Sequence, residues 1–198
     1  MAVTTKEIKE LRELTGAGML DCKKALEEAG GDIEKAVVIL RERGLAKAVS
    51  KASRHAGEGR VEAYIHPPGR LGALVEVRCE TDFVALTDEF KQLAKDLAMQ
   101  VAAASPKWVS REQVPEEVIE SEKNIYKNKA EAEGRPAQAV PRIVEGQLEN
   151  FFKENCLLEQ PYFRDPKRQI KDVIAEYSAK LGEKVEVTRF ARFNVKEG

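Results

Sequence analysis

The chain has few of the residues, and none of the motifs, on which most catalytic and metal sites depend. Its 198 residues include three cysteines, two histidines and one tryptophan. Cys22, Cys79 and Cys156 are far apart, odd in number and without Cys-x-x-Cys spacing, which argues against a disulfide framework and against a zinc site. No glycine-rich phosphate loop, Gly-x-Ser-x-Gly elbow or His-Glu-x-x-His motif occurs. We therefore expect no enzyme active site, no bound cofactor and no bound metal.

The chain also lacks an excess of charge of either sign and any long apolar segment. Lys plus Arg total 33 against 34 for Asp plus Glu, so there is no general attraction to phosphate backbones or anionic lipid. No apolar run approaches the ~20 residues that span a bilayer, and the polar residues 1–7 do not form a secretory signal. We expect a cytoplasmic protein with no direct nucleic-acid contact and no membrane contact.

Residues 1–44 predict a bundle of three short helices. Thr4 and Glu7 can form a capping box at the start of the first helix. Asp32 is placed to cap the third helix, and Gly44 is predicted to end it. The next segment, residues 45–56, carries Lys47, Lys51 and Arg54 at helical intervals and predicts a basic, solvated linker.

Residues 57–198 predict an α+β domain built on a three-stranded antiparallel sheet. Residues 58–66 and 71–79 alternate apolar and polar side chains on either side of a Pro-Pro-Gly turn, which indicates a hairpin. Residues 184–195 alternate again and should supply the third strand, since two strands alone are marginal in water. Helical patterns pack this sheet, and those within residues 115–152 predict a helical hairpin.

One short segment places a carboxylate beside a phenyl ring where the second strand ends. The segment is Glu80-Thr81-Asp82-Phe83-Val84-Ala85, and a helical pattern follows it directly. Two interpretations stay open on these residues alone. Either Phe83 is displayed to a partner, or it is a buried plug above the sheet with Asp82 as a helix cap.

The chain resembles bacterial translation elongation factor Ts over nearly its whole length. The segments that carry the resemblance are residues 11–26 (LRELTGAGMLDCKKAL), residues 31–36 (GDIEKA), residues 79–85 (CETDFVA) and residues 157–163 (LLEQPYF). In that family the N-terminal helices are similar to ubiquitin-associated folds. Longer members carry two related core subdomains, whereas this chain has length for only one, so it resembles a short form.

The resemblance implies guanine-nucleotide exchange on elongation factor Tu. A member of the family binds elongation factor Tu in its GDP-bound and nucleotide-free states, loosens GDP and Mg²⁺, and lets GTP enter. In the family, a Thr-Asp-Phe-Val turn intrudes beside the partner's magnesium site. The matching residues here are Thr81, Asp82, Phe83 and Val84.

The resemblance also implies a contact surface on the N-terminal helices. It assigns Arg12 as a polar anchor for the partner, and Met19 and Leu20 as apolar anchors. Leu20 departs from the Met often found there, a swap that nearly conserves volume. The competing interpretation puts Met19 and Leu20 in the core of the bundle.

A short form is also expected to form a homodimer. The edge beside the terminal strand or the apolar face around Phe151 and Phe152 could supply the interface, and the sequence does not choose between them. Two rival functions stay open. One is an adaptor that captures a peptide or ubiquitin-like partner through Gly16-Ala17-Gly18, and the other is a thiol enzyme that uses Cys79.

Overall fold

The computed structural model describes residues 3–196, with the side chains of residues 45 and 47–49 excepted. Its helices are α1 (Thr5–Thr15), α2 (Met19–Glu28), α3 (Ile33–Lys51), α4 (Asp82–Ala85), α5 (Asp88–Ala104), α6 (Glu116–Ala132), α7 (Val140–Asn155) and α8 (Ile170–Leu181). Its strands are β1 (Glu58–His66), β2 (Leu71–Cys79), β3 (Pro161–Tyr162), β4 (Asp165–Gln169) and β5 (Glu186–Asn194). The predicted α+β class is confirmed.

The N-terminal helices begin where their capping residues predict. Thr4 accepts from the backbone N–H of Glu7 and Glu7 accepts from that of Thr4, so both halves of the capping box are present. Asp32 accepts from the N–H of Lys35 at 3.1 Å at the start of α3. The core of this bundle consists of Leu11, Cys22, Ala25, Leu26 and Ala36.

The prediction that Gly44 ends the third helix is wrong, because α3 continues to Lys51. A glycine inside a helix costs about 1 kcal/mol against alanine. Here tertiary packing outweighs that cost: Gly44 is buried, and a β-carbon on it would lie 3.6 Å from the methyl of Ala179 on α8. Lys51 is buried too and donates to the carbonyl oxygen of Ser178 at 2.8 Å. The expectation of a solvated linker is therefore wrong at Lys51.

The chain divides into two compact units, and each combines segments that are distant in sequence. The first contains the described parts of Met1–Val61, Glu76–Ala94 and Asp172–Glu186. The second contains those of Glu62–Val75, Lys95–Lys171 and Val187–Gly198. The three ranges expected from the sequence, 1–44, 45–56 and 57–198, stay a prediction.

The three-stranded sheet has the order β1-β2-β5, so the terminal strand pairs beside β2 as the alternation predicted. On β2 the predicted apolar face is buried throughout, with Ala73, Val75, Val77 and Cys79 all inaccessible to solvent or nearly so. Alternation on a strand puts every second side chain on one face. The pattern in the sequence therefore set which face of β2 meets the core.

The opposite face of the sheet exposes apolar side chains in the second unit. Ile65 and Leu74 are exposed. The Cδ1 atom of Ile65 lies 2.6 Å from the position that a β-carbon on Gly72 would occupy, so Ile65, Gly72 and Leu74 share one face.

The end of β5 belongs to the same exposed face. Arg192 points towards α5, because its Nε donates to the carbonyl oxygen of Ala102 at 3.1 Å. Neighbouring side chains on a strand point in opposite directions, so Phe193 points away from α5, and it is 70% exposed. We define Ile65, Leu74 and Phe193 as the open sheet face.

The predicted helical hairpin is present as α6 and α7, and its aromatic residues form a core. Phe151 and Phe152 are each 7% exposed and cluster with Val114 and Cys156. The two rings already pack inside their own unit, and the expectation that the face around them supplies a dimer interface stays a prediction.

One polar cluster of the second unit has no counterpart among the sequence predictions. Asp96 on α5 is buried, accepts from the hydroxyl of Tyr162 at 2.6 Å and from Arg164 Nη2 at 2.8 Å. Gln100, one turn further along, accepts from the backbone N–H of Phe163 at 3.0 Å. These bonds hold the short β3–β4 hairpin against α5, since a two-stranded hairpin of this length is not stable alone.

Candidate functional site

The segment singled out in the sequence folds into a single helical turn, α4, directly after β2. Thr81 is its N-cap, with extended backbone, and its hydroxyl accepts from the N–H of Val84 at 3.4 Å. Ala85 is buried on the inner side of the turn and Val84 is half-buried. Thr81, rather than Asp82, is the capping residue.

The outer side of α4 is apolar and exposed. Phe83 is 79% exposed and Leu86, three residues later, is 67% exposed. Residues three apart lie on the same side of a helical turn. Asp82 is exposed as well. The interpretation of Phe83 as a buried plug is therefore wrong.

Two carboxylates join the start of α4 to the connection between α8 and β5. Glu183 Oε2 accepts from the backbone N–H groups of Glu80 and Thr81, each at 3.0 Å, and Glu183 Oε1 accepts from the Thr81 hydroxyl at 2.6 Å. In return, Glu80 Oε1 accepts from the backbone N–H of Lys184 at 2.6 Å and from Arg54 Nη1 at 3.3 Å. We call this pair, Glu80 and Glu183, the carboxylate brace.

The pKa values of Glu80 in the brace and of the neighbouring Cys79 are shifted in opposite directions. The hydrogen bond from the Lys184 N–H, followed by the charge of Arg54, holds the pKa of Glu80 below its ordinary value of 4.5 in spite of partial desolvation. Burial, followed by the negative charge of Glu183, raises the pKa of Cys79 to about 11. A thiol with that pKa is protonated at neutral pH, so Cys79 is a poor nucleophile. This finding counts against the thiol-enzyme hypothesis.

The three anchors expected on the N-terminal helices are exposed. Arg12 lies on the outer side of α1, and Met19 and Leu20 form the first residues of α2, where they are 38% and 64% exposed. The interpretation of Met19 and Leu20 as bundle core is therefore wrong. They belong to the same compact unit as α4.

Contacts between α3 and α8 connect these N-terminal helices to the rest of the first unit. Arg41 Nη2 lies 2.9 Å from Asp172 Oδ2 and Arg41 Nε lies 3.7 Å from Glu176 Oε1. Near the other end of α8, the side chain of Lys180 lies against Gly16 and also pairs with Glu89 at 3.8 Å. The predicted anchors and α4 are thus parts of one compact unit.

Other chemistry is sparse in the described part of the chain. Within residues 3–196, apart from the side chains left undescribed, no group of three or more His, Cys, Asp or Glu side chains is arranged to hold a metal ion. None of the described helices is both long enough and apolar enough to cross a bilayer. An open groove of about 670 Å³ runs between α6 and α7, but it contains none of the predicted site residues.

Comparison with known proteins identifies the family. A family model described as Elongation factor TS matches residues 2–197. The chain belongs to this family. An elongation factor Ts from Caldanaerobacter subterraneus is 60% identical over 196 residues, covering 99% of this chain and 98% of that protein. One from Coprothermobacter proteolyticus is 54% identical over 197 residues and covers 100% of both chains.

The matches confirm the resemblance drawn from the sequence, including the short form. Relatives from Caldanaerobacter and Coprothermobacter are covered almost end to end by a chain of this length. They also support the function that the family implies, which is guanine-nucleotide exchange on elongation factor Tu.

Sequence reasoning missed two residues of the site. Leu86 is apolar and three positions after Phe83, but the helical pattern of the sequence begins downstream at Phe90 and does not include it. Glu183 is 102 residues from Thr81, so no local signal linked the two.

Proposed function

We propose that this chain promotes release of GDP and Mg²⁺ from elongation factor Tu by inserting the Thr81–Val84 turn beside the partner's magnesium site. The observation that carries the proposal is the 79% exposure of Phe83 at the tip of a turn whose base is held by the carboxylate brace. An exposed ring of this size contributes little to folding, and together with the exposed Leu86 it makes an apolar patch of the kind that marks protein–protein contact sites. Contact with a partner accounts for it.

The ring and the acid have different roles in this mechanism. A phenyl ring that leaves water for an apolar pocket gains about 1.5–3 kcal/mol, and its insertion is incompatible with the resting packing of that pocket. Asp82, exposed next to it, brings a carboxylate near Mg²⁺ and disturbs the metal's water shell or ligands. The ring leads and the acid assists, and no covalent step is involved.

Exchange requires a coupling free energy that one ring does not supply. If the factor weakens GDP binding, GDP weakens binding of the factor to the same extent. A shift of about 10⁴ in nucleotide affinity needs about 5.5 kcal/mol of differential contact. The remainder comes from Arg12, Met19 and Leu20 docking on the partner and from Leu86, whose exposed side chain extends the apolar surface of Phe83.

The anchors and α4 lie in one compact unit, which supports separate roles for docking and for insertion. The anchors and α4 are both in the first compact unit, so docking through α1 and α2 can direct α4 at a fixed position on the partner. Elongation factor Tu, in its GDP-bound and nucleotide-free states, is the proposed partner. The proposed compartment is the cytoplasm, where translation takes place.

Release of fluorescently labelled GDP from elongation factor Tu tests the proposal. Catalytic amounts of the wild-type chain should accelerate release, and excess Mg²⁺ should counteract the acceleration. A chain that leaves the release rate unchanged would overturn the proposal. If it also failed to bind elongation factor Tu while binding a peptide or ubiquitin-like protein through Gly16-Ala17-Gly18, the adaptor would replace the exchange factor.

We also propose that the chain forms a homodimer through the open sheet face. Ile65, Leu74 and Phe193 are exposed apolar side chains on one surface of a sheet, which a two-fold related copy could cover with the same surface. Light scattering should report a dimer for the wild type and for Ile125→Glu, a control on α6. Phe193→Glu should give a monomer, and a monomeric wild type or a dimeric Phe193→Glu would contradict the proposal.

A further inference from the structure

The base of α4 is held by bonds that run in both directions between two distant segments. Glu183 accepts from the two backbone N–H groups that precede α4, while the side chain of Glu80 accepts from the backbone N–H of Lys184. Each segment therefore supplies a carboxylate to the other's backbone. Charged acceptors make shorter and stronger hydrogen bonds than neutral ones.

The Thr81 hydroxyl transmits this arrangement into the helix. It donates to Glu183 Oε1 at 2.6 Å and accepts from the N–H of Val84 at 3.4 Å. A four-residue helix is too short to be stable on its own, so its direction depends on its first turn and cap. Glu183 bonds the atoms that start this turn, and Phe83 lies within it.

Two successive hydrogen bonds connect the backbone of Glu183 to α8 and α3. Its carbonyl oxygen accepts from the hydroxyl of Ser178, and the carbonyl oxygen of Ser178 accepts from Lys51 Nζ at 2.8 Å. On the other side of the turn, Cys79 Sγ donates to the carbonyl oxygen of Thr81 at 3.1 Å. The connection therefore leads from α3 through α8 to the start of α4, all inside the first unit.

We propose that Glu183 is a positioning residue for nucleotide exchange, whose carboxylate fixes the orientation in which α4 presents Phe83. This inference rests on the proposed exchange function and adds to it a residue that does not itself touch the partner. A turn that already has its bound geometry loses less conformational freedom on insertion than a mobile one. Glu183 thus acts on the insertion step rather than on docking, which belongs to Arg12, Met19 and Leu20.

A kinetic titration separates the two steps. Release of labelled GDP is measured at rising concentrations of the chain, which gives a maximal release rate and a half-saturating concentration. For Glu183→Ala we expect the maximal rate to fall about fivefold to thirtyfold, as for the loss of strong hydrogen bonds. The half-saturating concentration should stay unchanged. A maximal rate equal to that of the wild type would overturn the inference.

Two variants control for charge and for hydrogen bonding. Glu186→Ala removes the same charge from the same segment, but Glu186 pairs with Lys184 Nζ rather than with the turn, so its maximal rate should equal that of the wild type. Glu183→Gln keeps an oxygen for the two backbone N–H groups and an amide for the Thr81 hydroxyl, and it should restore most of the rate. A Gln variant as slow as the Ala variant would contradict positioning by hydrogen bonds.

A double-mutant cycle tests whether Glu183 acts through Phe83. In the Phe83→Ala background, Glu183→Ala should cause little further loss of maximal rate, because the group it positions is already gone. Losses that multiply in full would show that Glu183 acts by another route and would overturn the inference. If Phe83→Ala alone has the wild-type rate, the insertion mechanism itself fails, and that outcome is distinct from failure at Glu183.

A second pair of variants covers the case in which Glu183→Ala does not fold. Thr81→Val replaces by a methyl group the hydroxyl that links Glu183 to the N–H of Val84, whereas Thr81→Ser retains the hydroxyl. Thermal melting establishes that both are folded. The Val variant should lower the maximal rate by more than the Ser variant, and a Val variant no slower than the Ser variant would overturn the inference.

Discussion

Two aromatic regions of this chain differ in burial and therefore in what they do. Phe152 on α7 is 7% exposed and packs against Phe151 with ring centroids 5.7 Å apart, while Arg111 lies over its face. Phe83 on α4 is 79% exposed. The first ring stabilises the fold by leaving water, whereas the second contributes little to folding.

The contacts around these two aromatic residues distinguish their roles better than their hydrophobicity does. Around Phe152, apolar side chains form the packing and Arg111 covers the ring. Around Phe83, the hydrogen bonds go to the backbone of the turn and leave the ring without an apolar enclosure. Such an arrangement keeps an apolar group ready for a partner.

The largest expected effect is on the free energy of unfolding, and it should differ between the two rings. Phe152→Ala should lower the free energy of unfolding by about 3–5 kcal/mol, because it leaves a cavity among Val114, Phe151 and Cys156. Phe83→Ala should change it by no more than about 0.5 kcal/mol. Denaturant unfolding measures both, and equal losses would contradict the contrast.

A smaller effect, on exchange, separates the ring from the acid beside it. Asp82→Ala removes an exposed charge, and exposed charge contacts are worth about 0.2–1 kcal/mol. The maximal rate of labelled GDP release should therefore fall by a factor of about 1.4 to 5, less than for Phe83→Ala. A loss at Asp82 larger than the loss at Phe83 would reverse the roles that we assign to them.

The stabilising effect of Glu80, one of the two carboxylates of the brace, should depend on pH. Because the folded pKa of Glu80 lies below its ordinary value of 4.5, its stabilising effect is present above that value and is lost as the pH falls through the lowered pKa. The difference in stability between wild type and Glu80→Gln should therefore shrink as the pH decreases below 4.5. A difference that is independent of pH in denaturation experiments would contradict the brace.

The smallest effect is expected at Cys79. Cys79→Ser should leave the exchange rate close to that of the wild type, since the thiol carries out no chemistry in the proposed mechanism. Its pKa of about 11 predicts slow labelling by a thiol reagent in the native protein and fast labelling after unfolding. Loss of exchange in a folded Cys79→Ser variant would revive the thiol hypothesis.

Sequence patterns predicted the elements of the fold because those patterns are local. The alternation on residues 71–79 identified the buried face of β2, and the Thr4–Glu7 capping box marked the start of α1. The end of α3 was predicted wrongly, since Gly44 obeys the local rule for helix ends while its packing against α8 overrides that rule.

The sequence predicted only those site residues that are close to Phe83 along the chain. The turn was identified from the residues before and after it, and the roles at residues 81–84 came from the family resemblance and stay predictions. The brace was out of reach, because Glu183 meets Thr81 only once α8 has returned the chain to the end of β2. The same holds for Asp96 and Arg164, which are 68 residues apart.

The maximal rate of labelled GDP release from elongation factor Tu, compared between wild type and Phe83→Ala, tests the central claim most directly. Loss of the ring should slow release about tenfold to 100-fold, from the free energy of burying a phenyl side chain. Ile125→Ala, which removes an exposed apolar side chain from α6, should release GDP at the wild-type rate. A folded Phe83→Ala variant that matches the wild type would contradict the account.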